Sequence, residues 1–213
     1  YDIPFAKPPV GDLRWRAPEP LDATPQLISR RTEPAMCPQR AGSVSGVEGD
    51  AAIGAEDCLY LDVTAPASGT EPLPVMVWIH GGGWNVGQGA RPHYSGTAIT
   101  KRDVLLVTVN YRLGAMGFLA HPALSNESER GISGNYGLMD NILALRWIKE
   151  NIHAFGGDPG NITIFGESAG GASVSALCCI PEAKGLFHKA ISQSPWMFGY
   201  TNSLAALNIV HQT

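Results

Sequence analysis

The 213-residue sequence is poor in charge, at 16 % Asp, Glu, Lys and Arg, and has a formal net charge of −4. No basic run or basic helix face occurs, which argues against nucleic acid or an anionic membrane as a partner. No window reaches the roughly 18 continuous apolar residues of a membrane span. A charged, apolar, small-residue leader series is also missing; because the chain starts at Tyr1 rather than Met, it reads as a processed or excised piece, and that absence says nothing about compartment. Four cysteines are too few for a disulfide scaffold and do not follow zinc spacing. Cys37 and Cys58 flank a Gly- and Ala-rich loop, which favours a bridge between them and an oxidising compartment. The adjacent pair Cys178 and Cys179 lies in an apolar run and is expected to form buried thiols.

What is present is 44 % hydrophobic sequence, enough for a sizeable core. Residues 1–38 are proline-rich and without period, as in an extended segment wrapped over a body, and residues 41–55 read as a loop. Short, largely β-branched runs then recur at 59–63, 75–79, 104–109, 162–165 and 190–192, bounded by Gly, Pro or Asp. Between the third and fourth, Leu138, Ile142, Leu145, Ile148 and Ile152 recur every three or four residues, which predicts an amphipathic helix over 137–152. Strand, crossover helix and strand make a right-handed parallel unit. A second helix is predicted from Ala169 to about Cys179, ended by Pro181. The fold class is therefore α/β with a mostly parallel sheet.

Two glycine-rich elements follow strands. In Gly166-Glu167-Ser168-Ala169-Gly170 the serine sits where a strand turns into a helix, a tight turn that only small flanking residues permit. Alone, the pentapeptide also fits a packing turn with Ser168 as an ordinary helix cap. His80-Gly81-Gly82-Gly83-Trp84 follows the 75–79 run and would leave backbone N–H groups free at the same sheet edge, as an oxyanion hole requires. A phosphate loop is the weaker alternative, because neither Walker nor dinucleotide spacing is present. Together the two elements point to acyl transfer.

With these segments in place, the chain resembles the type-B carboxylesterases of the α/β-hydrolase superfamily, which include cholinesterases and several lipases. The resemblance is carried by IPFA with PPVG and LRW near the start, EDCLYLDV at 56–63, the glycine run, VNYRLG at 109–114, GNYGLMD at 134–140 and FGESAGGASV at 165–174. It implies an α/β-hydrolase fold in which Ser168 is the nucleophile and Gly82, Gly83 and Ala169 supply the oxyanion N–H donors. It also implies that Cys37 and Cys58 form the family's first disulfide, and that Arg14 and Glu56 form a buried ion pair tying the proline-rich arm to the body. Without it, those two charges would read as solvated. The substrate implied is a small-molecule carboxylic ester, with no metal or organic cofactor. Oligomeric state is not legible.

Ser168 needs a base and an acid after it in superfamily order. Later in the chain stand only Glu182, His188 and His211. Glu182 lies beyond a helix that carries the chain about 15 Å away at roughly 1.5 Å per residue, and His188 precedes the next strand on the same lower edge. His80 heads the glycine run, where the family also accepts tyrosine, and His93, His121 and His153 sit in loop or helix-end contexts. Residues 1–213 are therefore expected to be the N-terminal part of one catalytic domain, without its acid, its histidine or its first strands, and inactive in isolation. A catalytically silent adhesion protein of the same family is the alternative, though such members typically lose the nucleophile. No aromatic residue lies between Cys37 and Cys58, so the cation-binding tryptophan of cholinesterases has no counterpart in that loop. Asn126 and Asn161 begin glycosylation triplets, relevant only in a secreted eukaryotic protein.

Overall fold

The computed structural model describes residues 2–22, 34–41, 49–67 and 72–195. In chain order its strands and helices are β1 (Ile3–Pro4), β2 (Gln39–Arg40), β3 (Ala52–Ile53), β4 (Tyr60–Thr64), β5 (Leu73–Ile79), α1 (Thr97–Thr100), β6 (Leu105–Val109), α2 (Gly114–Phe118), α3 (Pro122–Glu127), α4 (Tyr136–Asn151), β7 (Gly157–Glu167), α5 (Ala169–Cys179) and β8 (Lys189–Gln193). Six strands form one sheet in the order β1-β4-β6-β5-β7-β8, and β2 pairs with β3 as a separate ribbon. The four strands β6, β5, β7 and β8 are parallel, whereas β4 runs against both β1 and β6.

Right-handed crossovers assign the faces. The steps β6 to β7 and β7 to β8 go the same way along the sheet, so α4 and α5 share one face; β5 to β6 steps back, which puts the 80–104 connection on the other. The burial alternation agrees. Val75, Val77 and Ile79 of β5, Leu105, Val107 and Val109 of β6, and Ile162 and Ile164 of β7 form one core with Ile142, Leu145 and Ile148 of α4 and Val174 and Leu177 of α5. On the opposite face Trp78 packs its ring at 5.0 Å from Tyr94 and 4.9 Å from Phe165.

The proline-rich arm does more than wrap the surface. Ile3 and Pro4 pair with Leu61 and Tyr60 as an edge strand, and Ile3, Phe5 and Ala6 are buried. The arm is tied further along by Arg14, whose guanidinium meets Glu56 through two 2.8 Å hydrogen bonds. That ion pair is partly exposed rather than buried, with 39 % and 26 % of the side chains accessible.

Cys37 and Cys58 are bridged and buried. The expectation for the other pair is corrected: Cys178 and Cys179 are exposed free thiols. Position along the helix is the reason: α5 is buried on every side over its first six residues, Ala169 to Val174, and again at Leu177, whereas the two cysteines are its last two residues, where that cover has run out.

Candidate active site

Ser168 occupies the single residue between β7 and α5, with φ 56° and ψ −122°. A non-glycine residue there is strained and persists because its surroundings fix it. Its N–H donates to Gln193 O at 3.0 Å, and its carbonyl accepts from Ala172 N at 2.9 Å, so β8 holds one side and the first turn of α5 the other. The flanking glycines are sterically required. A Cβ on Gly166 would lie 2.7 Å from Ile79 O, and one on Gly170 only 2.1 Å from it. Strand β5 and helix α5 approach too closely for any side chain.

Ile79 ends β5 and delivers His80 to Gly83 to that contact. A Cβ on Gly81 would lie 3.2 Å from Ser168 Cβ and 2.7 Å from Glu167 O, so the glycine run passes directly beside the serine. Gly82 has φ 106°, Gly83 φ 61° and Trp84 φ 57°. This coil is closed by Gly82 O accepting from Asn85 N at 3.1 Å and Val86 N at 3.2 Å. Among the described residues the N–H groups of Gly82 and Gly83 find no acceptor, and Ala169, first in α5, has no carbonyl a turn earlier in its helix to bond. Ser168 is half-buried, Gly82 exposed and Ala169 buried.

His80 is 1 % exposed and stacks on Tyr111 at 4.4 Å between ring centroids. Burial, aided by the positive charge of Arg91, lowers its pKa to about 4 against the opposing hydrogen bond to Gly81 O, so it is a neutral structural ring at physiological pH. The other histidines are placed elsewhere. His93 is exposed and meets Tyr94 edge-on; His121 caps α3 by accepting from Ala123 N at 3.1 Å; His153 is exposed at the end of α4. His188 is exposed beside the middle of β7, accepting from the N–H of Ile162, six residues before Ser168, at 3.0 Å, and Glu182 is exposed and faces Arg130 at 3.5 Å. His211 lies outside the described residues. Among the described residues, then, no histidine bonds to Ser168.

Sequence reasoning assigned no role to the polar residues that shape this edge. Tyr111 donates to His80 O at 2.7 Å. Asn110 accepts from Gly89 N at 2.8 Å and donates to Ala35 O at 2.9 Å. Arg112 and Asp140 form a buried pair at 2.7 Å, and Trp84 Nε1 donates to Ser173 Oγ at 2.9 Å. The available signal was position: Asn110, Tyr111 and Arg112 directly follow the end of β6, and Asp140 interrupts the apolar face of α4.

Residues 1–210 match the carboxylesterase family. The chain is 48 % identical over 208 residues to the fumonisin B1 esterase of Sphingopyxis macrogoltabida, covering 97 % of this chain and 37 % of that protein. It is 48 % identical over 193 residues to the para-nitrobenzyl esterase of Bacillus subtilis (strain 168), covering 90 % and 39 %. A solved thermophilic PNB esterase superposes with a TM-score of 0.79 at 45 % identity, covering 91 % of this chain and 40 % of its own. The chain thus spans about two-fifths of the length of these relatives. With the parallel sheet, the positive-φ serine and this match along nearly its whole length, the chain belongs to the carboxylesterase family of the α/β-hydrolase fold.

Proposed function

We propose that the protein carrying this chain is a serine carboxylesterase that hydrolyses small-molecule carboxylic esters through an acyl-enzyme on Ser168. The observation that carries it is the contact between Ser168 and the glycine run, where the Gly81 Cβ position lies 3.2 Å from Ser168 Cβ. Ser168 Oγ attacks the ester carbonyl carbon. The N–H groups of Gly82, Gly83 and Ala169 receive the negative charge on the carbonyl oxygen, with the N-terminal dipole of α5 behind them. Collapse of the tetrahedral species expels the alcohol, and water then attacks the acyl carbon to release the acid and regenerate the serine hydroxyl.

Attack requires a base, and none is supplied by the described residues. We assign the base and its acid to a part of the protein outside these 213 residues, and we assign residues 1–213 to the N-terminal part of one catalytic domain. Support comes from the coverage of 37 % to 40 % of the relatives and from β8, which among the described residues is an edge strand with every residue exposed. The isolated chain is accordingly expected to be inactive. Retention of Ser168 and of the glycine run sets the esterase above a silent adhesion role. The test is Ser168→Ala in the full-length protein with a short-chain p-nitrophenyl ester: activity should vanish while the fold persists, and activity within tenfold of wild type would remove Ser168 from the mechanism.

A further inference from the structure

The proposed oxyanion donors come from two separate stretches of chain, Gly82 and Gly83 on the glycine run and Ala169 on α5. Their spacing decides how well an oxyanion is held. The β5–β7 ladder joins the two stretches at their roots, where Ile79 pairs with Gly166; beyond it, among the described residues, the backbone hydrogen bonds of each run to its own surroundings, as Gly114 N to Trp84 O at 2.6 Å and Ala172 N to Ser168 O at 2.9 Å. One side-chain hydrogen bond crosses between them, and a second carries it on to Ala169. Trp84 is the residue after Gly83, and its indole N–H donates to Ser173 Oγ at 2.9 Å across 89 residues of sequence. Ser173 is fully buried, and its hydroxyl donates in turn to the carbonyl of Ala169, one turn back in α5, at 3.0 Å. A helical serine that bonds the carbonyl four residues back turns its oxygen lone pairs outward, and here the indole meets them. Donation to Ala169 also makes that oxygen the better acceptor.

We propose that Trp84 and Ser173 are positioning residues which clasp the glycine run to the first turn of α5 and so set the gap between the Gly82 and Gly83 N–H groups and that of Ala169. This rests on Ser168 being the nucleophile. The clasp touches no substrate. It acts through the place its neighbours hold, and the 2.9 Å bond from the indole N–H to Ser173 fixes the ring against α5. The side chain is further located by Phe118, whose ring lies 6.1 Å from the indole. A phenylalanine at 84 would keep most of the packing and remove the N–H; an alanine at 173 would remove both bonds.

The experiment compares Trp84→Phe, Ser173→Ala, the double variant and Ser168→Ala in the full-length protein. It measures kcat and KM for a short-chain p-nitrophenyl ester and Ki for a trifluoromethyl ketone that forms a tetrahedral adduct. Loss of an oxyanion donor typically costs about 10²–10³ in kcat, so displacing one should cost about tenfold. The expected result is a roughly tenfold fall in kcat for each single variant, KM within about twofold, a parallel weakening of the ketone, and a double variant no worse than the poorer single. A merely structural clasp would lower the melting temperature and leave kcat and ketone affinity in place, which would overturn the proposal, as would a change confined to KM. If Trp84→Phe does not fold, Ser173→Ala decides alone. Activity surviving in Ser168→Ala overturns the nucleophile assignment and the clasp with it, whereas an inactive Ser168→Ala beside fully active clasp variants overturns the clasp only.

Discussion

The carboxamide of Gln39 pairs in both directions with the backbone of Gly87: its Oε1 accepts from Gly87 N–H at 2.8 Å and its Nε2 donates to Gly87 O at 2.9 Å. Nε2 also donates to Cys37 O at 3.0 Å, so one side chain links the disulfide loop to the segment leaving the glycine run. Gly87 can take no other residue, since its φ is 126° and a Cβ would stand 2.3 Å from His80 Nδ1. The order of support is therefore disulfide, Gln39, Gly87, His80.

Gln39→Leu keeps the volume and leaves the buried N–H and C=O of Gly87 unpaired. A buried unsatisfied polar group costs roughly 1–3 kcal/mol, so the variant should lose about 3 kcal/mol of stability. Urea unfolding of the oxidised protein measures this, and an unchanged midpoint would show that the pairing is not needed.

Breaking the ion pair of Arg112 and Asp140 should be at least as costly. Its side chains are 3 % and 0 % exposed, Asp140 Oδ2 also accepts from Arg112 N at 2.9 Å, and Arg112 Nη1 donates to Arg16 O at 2.9 Å. Asp140→Asn strands a buried guanidinium, at about 3–5 kcal/mol. Glu182→Gln, at an exposed pair with Arg130, should leave the unfolding midpoint where it is. Equal effects of the two substitutions would contradict the assignment.

Much of this architecture was legible in the sequence because it rests on periodicity. The short apolar runs at 75–79 and 104–109 announce strands, and the three- and four-residue spacing of α4 announces a buried helix face; that β5 buries Val75, Val77 and Ile79 more deeply than Met76 and Trp78 is seen only in the fold. The strand-to-helix position of Ser168 followed from the same patterns. Long-range polar pairing was not legible: nothing local in Gln39 names Gly87, and nothing in Trp84 names Ser173. Nor did apolar surroundings locate Cys178 and Cys179, since they end α5, and how far along a helix the cover of other elements reaches is not written in its own residues.

The exposed pair gives a counting experiment. Native chain should react with a thiol reagent at two positions, Cys178 and Cys179, and at two more only after reduction and unfolding. The Cys178 thiol is pushed up first by burial and then by Cys179, which lowers its thiolate fraction. It should label more slowly than a free cysteine at pH 8. Four reactive thiols without reductant, or none, would contradict the structure.

His80 makes stability depend on pH in a definable window. Its ordinary pKa of 6.5 is lowered to about 4 in the fold, chiefly by burial. The unfolded chain thus takes up a proton as pH falls below about 6.5, while the folded chain stays neutral until about 4. Stability is full above the upper value and is lost as pH falls between the two, by up to roughly 3 kcal/mol for the 2–3 unit difference. Asp62 works in the opposite sense, because burial raises its carboxyl above the ordinary 3.8. A bare pH profile therefore mixes the two, and a variant that removes only the imidazole separates them. His80→Asn keeps a donor in reach of Gly81 O, which lies 2.8 Å from Nδ1, but cannot titrate. Urea midpoints measured from pH 7 to pH 4 should fall more steeply for the wild type than for His80→Asn, the gap between the curves closing toward pH 4. Parallel curves would show that His80 is not held neutral by the fold.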